Sequence, residues 1–219
     1  MGWQAENYLV PLLQIKDRPE NIDFETLPFE YVIKPNHGAG WWIIKHNQYY
    51  TVDSTKGIST DLKKEDIINI CHAWFSEDYS LRWNEWAYGQ IERLVIVENI
   101  IKQKNNSLPD DYRLCMFDGK LGFVYVTAPY QAMFNYYDGD WQPIEFKYKP
   151  ENPELKKPEQ FDEMISIAEK LSKGWDFIRC DFYLANSKVY FGELTHYPGA
   201  GYTPFPYEID LKLGEYWKT

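Results

Sequence analysis

Hydrophobic and polar positions alternate along FIRCDFYLANSKVYFGELT, residues 177–195, on both sides of a short turn. A period of two predicts the strands of a β-hairpin, with successive side chains on opposite faces. Ile178, Cys180, Phe182 and Leu184 make one apolar face, while Arg179 and Asp181 share the other. If the loop is Ala185, Asn186 and Ser187, Leu184 pairs with Lys188 and Arg179 with Glu193, and Glu193 joins the polar face. A two-residue loop would instead turn Glu193 toward the core, where an unpaired carboxylate is costly.

The same pattern predicts strands at FEYVIKP (29–35), WWIIK (41–45), RLVIVENI (93–100), DYRLCMF (111–117) and LGFVYVT (121–127). The first two flank the glycine loop HGAG, and the last two are joined by the turn DGK. Helical spacing appears at Ile67, Ile70, Cys71 and Trp74, with Asp61 as the expected N-cap. It recurs at Phe161, Met164, Ile165, Ala168 and Leu171, between Pro158 and Gly174. Residues 1–28, interrupted by Pro11, Pro19 and Pro28, read as an irregular entry segment, and 128–157 as an extended excursion rich in Pro, Tyr and charge. A short terminal helix closes the chain. The pattern is α+β with mostly antiparallel strands.

Composition narrows the function classes. The 219 residues carry 33 acidic against 23 basic side chains, a formal net charge of -10. Nucleic-acid binding needs a positive field, so a nucleic-acid partner is not expected, nor is an anionic membrane surface. Aromatics make up 18% of a chain that is 44% hydrophobic, as a folded core requires. Cys71, Cys115 and Cys180 are far apart with no CxxC, which points to a reducing compartment rather than a disulfide framework. No signal peptide or apolar run of bilayer-spanning length is evident, and the chain reads as cytoplasmic.

Three constellations could carry chemistry. Two carboxylates on neighbouring strands, Asp181 and Glu193, suit a magnesium ion, and the adjacent Arg179 suits phosphoryl oxygens. The same residues also read as a cross-strand Arg–Glu pair that stabilises by about 0.2–1 kcal/mol. Lys34 before HGAG can place an ammonium and backbone N–H groups around a polyphosphate, or be an ordinary solvent-facing lysine. Glu98 ends an apolar strand whose backbone could read an adenine edge. There is no GxSxG, no HExxH and no Walker lysine loop.

In this order, a strand lysine with its glycine loop, a strand glutamate, and RxD followed twelve positions later by Glu, the residues resemble the nucleotide site of ATP-grasp ligases. The resemblance is closer to the TupA-like ATP-grasp branch of teichuronopeptide and surface-polysaccharide biosynthesis. It is carried by NYLVPLL, LPFEYVIKPNHGAGW, NEWAY, VIVENII, DYRLCMFDGK, YYDGDWQPIEF, KPEQFDEMISIAEKLSKGWDFIRCDFY and VYFGELTHYPGAGYTPF.

The resemblance implies an ATP-grasp fold of two α+β lobes with the nucleotide site between them: an entry segment (1–28), a small lobe (29–95) and a large lobe (96–219). It implies ATP and Mg2+ as cofactors. Lys34 would contact the phosphates, and His37, Gly38, Ala39 and Gly40 would close over them. Glu98 would hold adenine. Asp181 and Glu193 would bind magnesium, with Thr195 where many relatives carry Asn as a third ligand, and Arg179 would steady the transferring phosphoryl group. The implied reaction joins a carboxylate to an amine through an acyl phosphate, on a small-molecule or saccharide substrate such as a uronic acid. His196, in the glycine-rich loop after GELT, would be the histidine placed to touch substrate. Members of the branch usually carry a further basic N-terminal segment before NYLVPLL, so a short member, a fragment, or one part of a split enzyme whose partner supplies the segment is expected. An inactive ATP-binding or scaffold protein and a glycosyltransferase of the same pathway are the alternatives.

Overall fold

Two antiparallel sheets organise the chain, each in its own unit: Val10–Ile100 forms the small one, and Ile101–Thr219 with Met1–Leu9 the large one. The structure, a computed structural model, describes residues 4–52, 58–59, 61–129, 134–144 and 155–217. Of the excursion expected over 128–157, residues 130–133 and 145–154 lie outside the described ones.

Among the described residues of the small unit, six strands take the order β1-β6-β2-β3-β4-β5. They are β1 (Leu12–Lys16), β2 (Tyr31–Pro35), β3 (Ile43–His46), β4 (Tyr49–Val52), β5 (Ile58–Ser59) and β6 (Val95–Glu98). Alternation works as expected on β2 and β6, whose Tyr31, Ile33, Val95 and Val97 are buried. Helix α1 (Lys64–Ser76) covers that face with Ile67, Cys71 and Trp74. It begins three residues after the expected cap Asp61. The Asp66 carboxylate instead reaches back to accept the Lys63 N–H at 2.9 Å, satisfying one of the first-turn donors. β1 lies inside the segment expected to be irregular. Paired only with β6, it is an edge strand, a place where flanking prolines are tolerated.

Among the described residues of the large unit, five strands form a sheet in the order β11-β10-β7-β8-β9. These are β7 (Asp111–Phe117), β8 (Lys120–Thr127), β9 (Phe134–Asp138), β10 (Phe177–Ala185) and β11 (Lys188–Thr195). The β7–β8 turn uses Asp118 and Gly119, both at positive φ, as a two-residue hairpin with matching twist requires. One face carries Leu114, Met116, Val124, Ile178, Cys180 and Phe182 against helix α3 (Phe161–Leu171). A four-residue helix, α2 (Ser80–Trp83), precedes in the small unit, and α4 (Tyr207–Gly214) closes the large one. α4 packs Leu213 on the second face with Cys115, Phe117, Phe123 and Tyr136. The central strands are thus apolar on both sides, and only polar side chains with partners can be buried among them.

Candidate active site on the bulged hairpin

The β10–β11 turn is tighter than expected: Asn186 and Ser187, at φ 53° and 64°, form a two-residue loop, and Ala185 pairs with Lys188. Uninterrupted alternation from there would send Glu193 to the α3 side. The ladder runs through Leu184–Val189, Tyr183–Tyr190 and Phe182–Phe191, then skips Gly192, so that Asp181 faces Glu193 and Arg179 faces Thr195. The extra residue of this β-bulge reverses the facing of everything after it. Gly192 suits the position, since a Cβ there would lie 3.2 Å from the Asp181 carbonyl oxygen and 3.3 Å from the Tyr183 ring. Glu193 therefore does share a face with Arg179 and Asp181, but through a two-residue turn plus a bulge rather than a three-residue loop.

Arg179 is the hub of that face and is only 7% exposed. Its Nε and Nη2 donate to the two oxygens of Asp181, each at 2.6 Å. Nη2 also reaches Glu193 Oε1 at 2.7 Å and Thr195 Oγ1 at 3.0 Å, and Nη1 donates to the Tyr125 hydroxyl at 3.0 Å. The Thr195 hydroxyl donates to Glu193 Oε1 at 2.5 Å. A buried guanidinium held this fully cannot swing between positions, so the site is preorganised. Burial pushes the Asp181 carboxyl up to about 7, against the opposing pull of Arg179.

Three members of the cluster were not singled out from the sequence: Asp111, Arg113 and Tyr125. Arg113 donates from Nε to Asp111 Oδ2 at 2.7 Å and stands 3.8 Å from Asp181 Oδ2. Burial raises the Asp111 carboxyl also, and its Oδ1 is buried without a hydrogen-bond partner. The spacing DYR at the start of β7 was the available signal. It repeats the i, i+2 polar pairing of Arg179 and Asp181, and the β7–β10 pairing brings the two together. Beside Arg113 and Arg179 the large unit opens into a cavity of about 760 Å³, whose lining includes Tyr125, Phe134, His196 and Trp217.

The donors here are hard oxygens, the kind magnesium takes. Among the described residues no three His, Cys, Asp or Glu side chains converge closely enough to hold a metal by themselves. Asp181 and Glu193 are of the kind that the two-carboxylate case uses, and both Asp181 oxygens are held by Arg179 in this structure. Glu193, with a side chain 57% exposed, is the accessible member.

In the small unit Lys34 and Glu98 come together. They project from β2 and β6 on the less buried face, with Nζ 2.7 Å from Glu98 Oε2. The His37 ring lies elsewhere, 2% exposed between Trp41 and Phe75, with Nε2 3.0 Å from the Trp74 carbonyl oxygen. Burial lowers its pKa, so the ring is neutral and its Nε2–H donates. His37 thus tethers the loop, and Asn36 ties the loop's base to Glu92 and Leu94. Gly38 is required by close packing, since a Cβ would sit 2.5 Å from the Trp41 ring, and Gly40 adopts φ +75°. The imidazole of this loop is thus enclosed, and the Ala39 backbone is hydrogen-bonded to Tyr79.

The fold is that of the ATP-grasp proteins. Over 97% of this chain it is similar to D-alanine–D-alanine ligase from Bacillus anthracis complexed with ATP, with a TM-score of 0.51 and 18% identity. The Helicobacter pylori D-alanine–D-alanine ligase gives a TM-score of 0.49 at 15% identity over 97% of this chain and 56% of its own. Macrocyclase MdnC bound with precursor peptide MdnA from Microcystis aeruginosa MRC gives 0.42 at 14% over 96% of this chain and 55% of its own. The chain spans about 60% of the Bacillus anthracis ligase. A comparison with curated protein sequences finds no match. Within the ATP-grasp class the chain belongs to the TupA-like ATPgrasp family, which it matches over residues 2–218.

Proposed function

We propose that the protein is an ATP- and magnesium-dependent carboxylate–amine ligase acting in the cytoplasm on a precursor of a cell-surface polysaccharide. The carrying observation is the bulged hairpin, which sets Asp181, Glu193 and Thr195 around a buried Arg179 beside a cavity. Family membership and a fold shared with a ligase that binds ATP support the reading. A substrate carboxylate oxygen attacks the γ-phosphorus of ATP, the bond to the bridging oxygen breaks, and ADP leaves an acyl phosphate. An amine nitrogen then attacks the acyl carbon, phosphate departs, and the nitrogen loses its proton to give the amide.

Neither step needs a protein nucleophile, so positioning and charge neutralisation are what the residues supply. Asp181 and Glu193, with the Thr195 hydroxyl beside them, would hold magnesium, which when bound neutralises charge on the phosphate oxygens. Arg179 steadies the phosphoryl group in transfer. Lys34 would leave Glu98 to meet the phosphates, residues 37–40 would close over them, and Glu98 would turn to the adenine.

Calorimetric titration of Mg-ATP into wild type and Asp181→Asn tests the site, with at least tenfold weaker binding expected for the variant. Equal affinities remove the metal assignment. ADP release over a panel of carboxylates and amines then tests turnover, and release that no carboxylate stimulates would leave an ATP-binding protein without ligase activity.

A further inference from the structure

The glycine loop between β2 and β3 is rooted in the small unit's interior by one imidazole. His37 is 2% exposed, whereas Ala39 and Gly40 at the tip are exposed. The ring meets Trp41 at 5.9 Å and Phe75 at 5.3 Å, edge-on to both. Its Nε2–H donates to the Trp74 carbonyl, in the last turn of α1. Nδ1 is buried as well and has no hydrogen-bond partner. Two other anchors flank the ring. Asn36 binds the Glu92 carbonyl and the Leu94 N–H, each at 2.8 Å, and Tyr79 holds the Ala39 backbone.

This arrangement suits a neutral ring and not a charged one. A neutral imidazole has one N–H, which the Trp74 carbonyl takes, whereas an imidazolium has two. The second N–H, on Nδ1, would be a buried charged donor without an acceptor, which is costly. A helix C-terminus ordinarily welcomes a cation. Here Arg93 already serves that end of α1, donating from Nη1 to the Phe75 carbonyl. A charge on His37 would be a second cation at the same place. Among the described residues Arg93 is the charged group that acts on the ring. α1 turns Trp74 and Phe75 toward it, the loop contributes Trp41, and Tyr79 stands behind Trp41. Burial lowers the ring's pKa below its ordinary 6.5, against the pull of the Trp74 carbonyl, and Arg93 lowers it further.

We propose that His37 is a proton-operated latch on the glycine loop, docked on the end of α1 when neutral and released when protonated. Release exchanges the Trp74 carbonyl for water, and residues 37–40 come loose about a base that Asn36 keeps in place. The latch regulates the nucleotide site of the ligase reading and rests on that reading for its purpose, since these residues would close over the phosphates. In the open loop the imidazole regains its ordinary pKa, so the open form binds protons more readily than the docked one. Opening therefore grows as pH falls below about 6.5, by up to about tenfold per unit, until the docked ring itself titrates.

Amide hydrogen exchange, corrected for its intrinsic pH dependence, reads the latch without nucleotide. Between pH 7.5 and 5.5 residues 38–41 should lose protection at least fivefold while α1 and β2 keep theirs. In His37→Gln, which retains an N–H donor but takes up no proton, protection should stay within about twofold. Calorimetry of Mg-ATP at the two pH values should show a loss of affinity at least fivefold larger in wild type than in His37→Gln. Arg93→Gln gives an independent reading: with the helix end vacated, the His37 titration followed by NMR of its Cε1 proton should move to higher pH. Protection in the wild type that ignores pH, an equal loss in folded His37→Gln, or a loss shared with α1 overturns the latch. So does an equal pH dependence of Mg-ATP affinity in the two proteins, or an unmoved His37 midpoint in folded Arg93→Gln. An exchange switch that works as expected, with no Mg-ATP binding at either pH, supports the latch and defeats the ligase reading instead.

Discussion

Replacing Arg179 by Met removes the hub of the hairpin site while keeping much of its apolar stem volume. The loss strands Asp181, 3% exposed, without the guanidinium that meets both of its oxygens. Breaking a buried ion pair from one side typically costs about 3–5 kcal/mol. The cost here depends on pH, because a stranded carboxylate can take up a proton. Asp181 stands at about 7 in the native protein against 3.8 as its ordinary value, with Arg179 holding it down. A carboxyl raised on folding binds more protons in the native state, so stability is lost as pH rises from the unfolded to the folded pKa. In the wild type this loss ends near pH 7. Without Arg179 the folded pKa moves higher, and the loss continues at roughly 1.4 kcal/mol per pH unit. Urea unfolding followed by tryptophan fluorescence, at pH 6, 7, 8 and 9 without magnesium, should show the gap between variant and wild type widening above pH 7. Adding Asp181→Asn to the variant should flatten that widening and recover part of the stability. A gap of constant size from pH 6 to 9, or a double variant with the same slope as the single one, would refute the reasoning.

Two further outcomes follow from the backbone. Deleting Gly192 removes the bulge but leaves Glu193 next after Phe191 and so still opposite Asp181, and Mg-ATP affinity measured by calorimetry should stay within about threefold of wild type; a fall of tenfold or more in a folded deletion variant would argue against this register. Gly38→Ala places a Cβ about 2.5 Å from the Trp41 ring and should cost about 1–3 kcal/mol, read as a lower urea midpoint, whereas an unchanged midpoint would mean the Trp41 ring yields freely.

The sequence alone carried a large share of this architecture. Strand β7 spans the predicted 111–117, β8 differs by one residue at its start, and Met164 and Ala168 are buried on α3 as their spacing required. The motif order from Lys34 to Thr195 sufficed for the family resemblance, and the match over residues 2–218 agrees. Strands β1, β4, β5 and β9 went unseen because β1, β5 and β9 lie at sheet edges and β4 beside one, where pairing rather than pattern decides. Asp111 and Arg113 went unseen because DYR on one strand has no meaning until β7 lies against β10.

The hairpin shows where the division falls. Period-two alternation is local, a property of successive Cα–Cβ directions, so the residue string alone determined that Arg179 and Asp181 share a face. Which face receives Glu193 depends on the loop and on every step of the ladder between, and the bulge at Gly192 is settled by contacts with Asp181 and Tyr183 across the strand pair. His37 obeys the same distinction: a histidine beside glycines reads as a loop residue, and only the packing of Trp41, Phe75 and the Trp74 carbonyl draws its ring inside. Residue types and their periods set what each segment could become. Contacts between segments far apart in the chain, which carry no local signature, selected among those options.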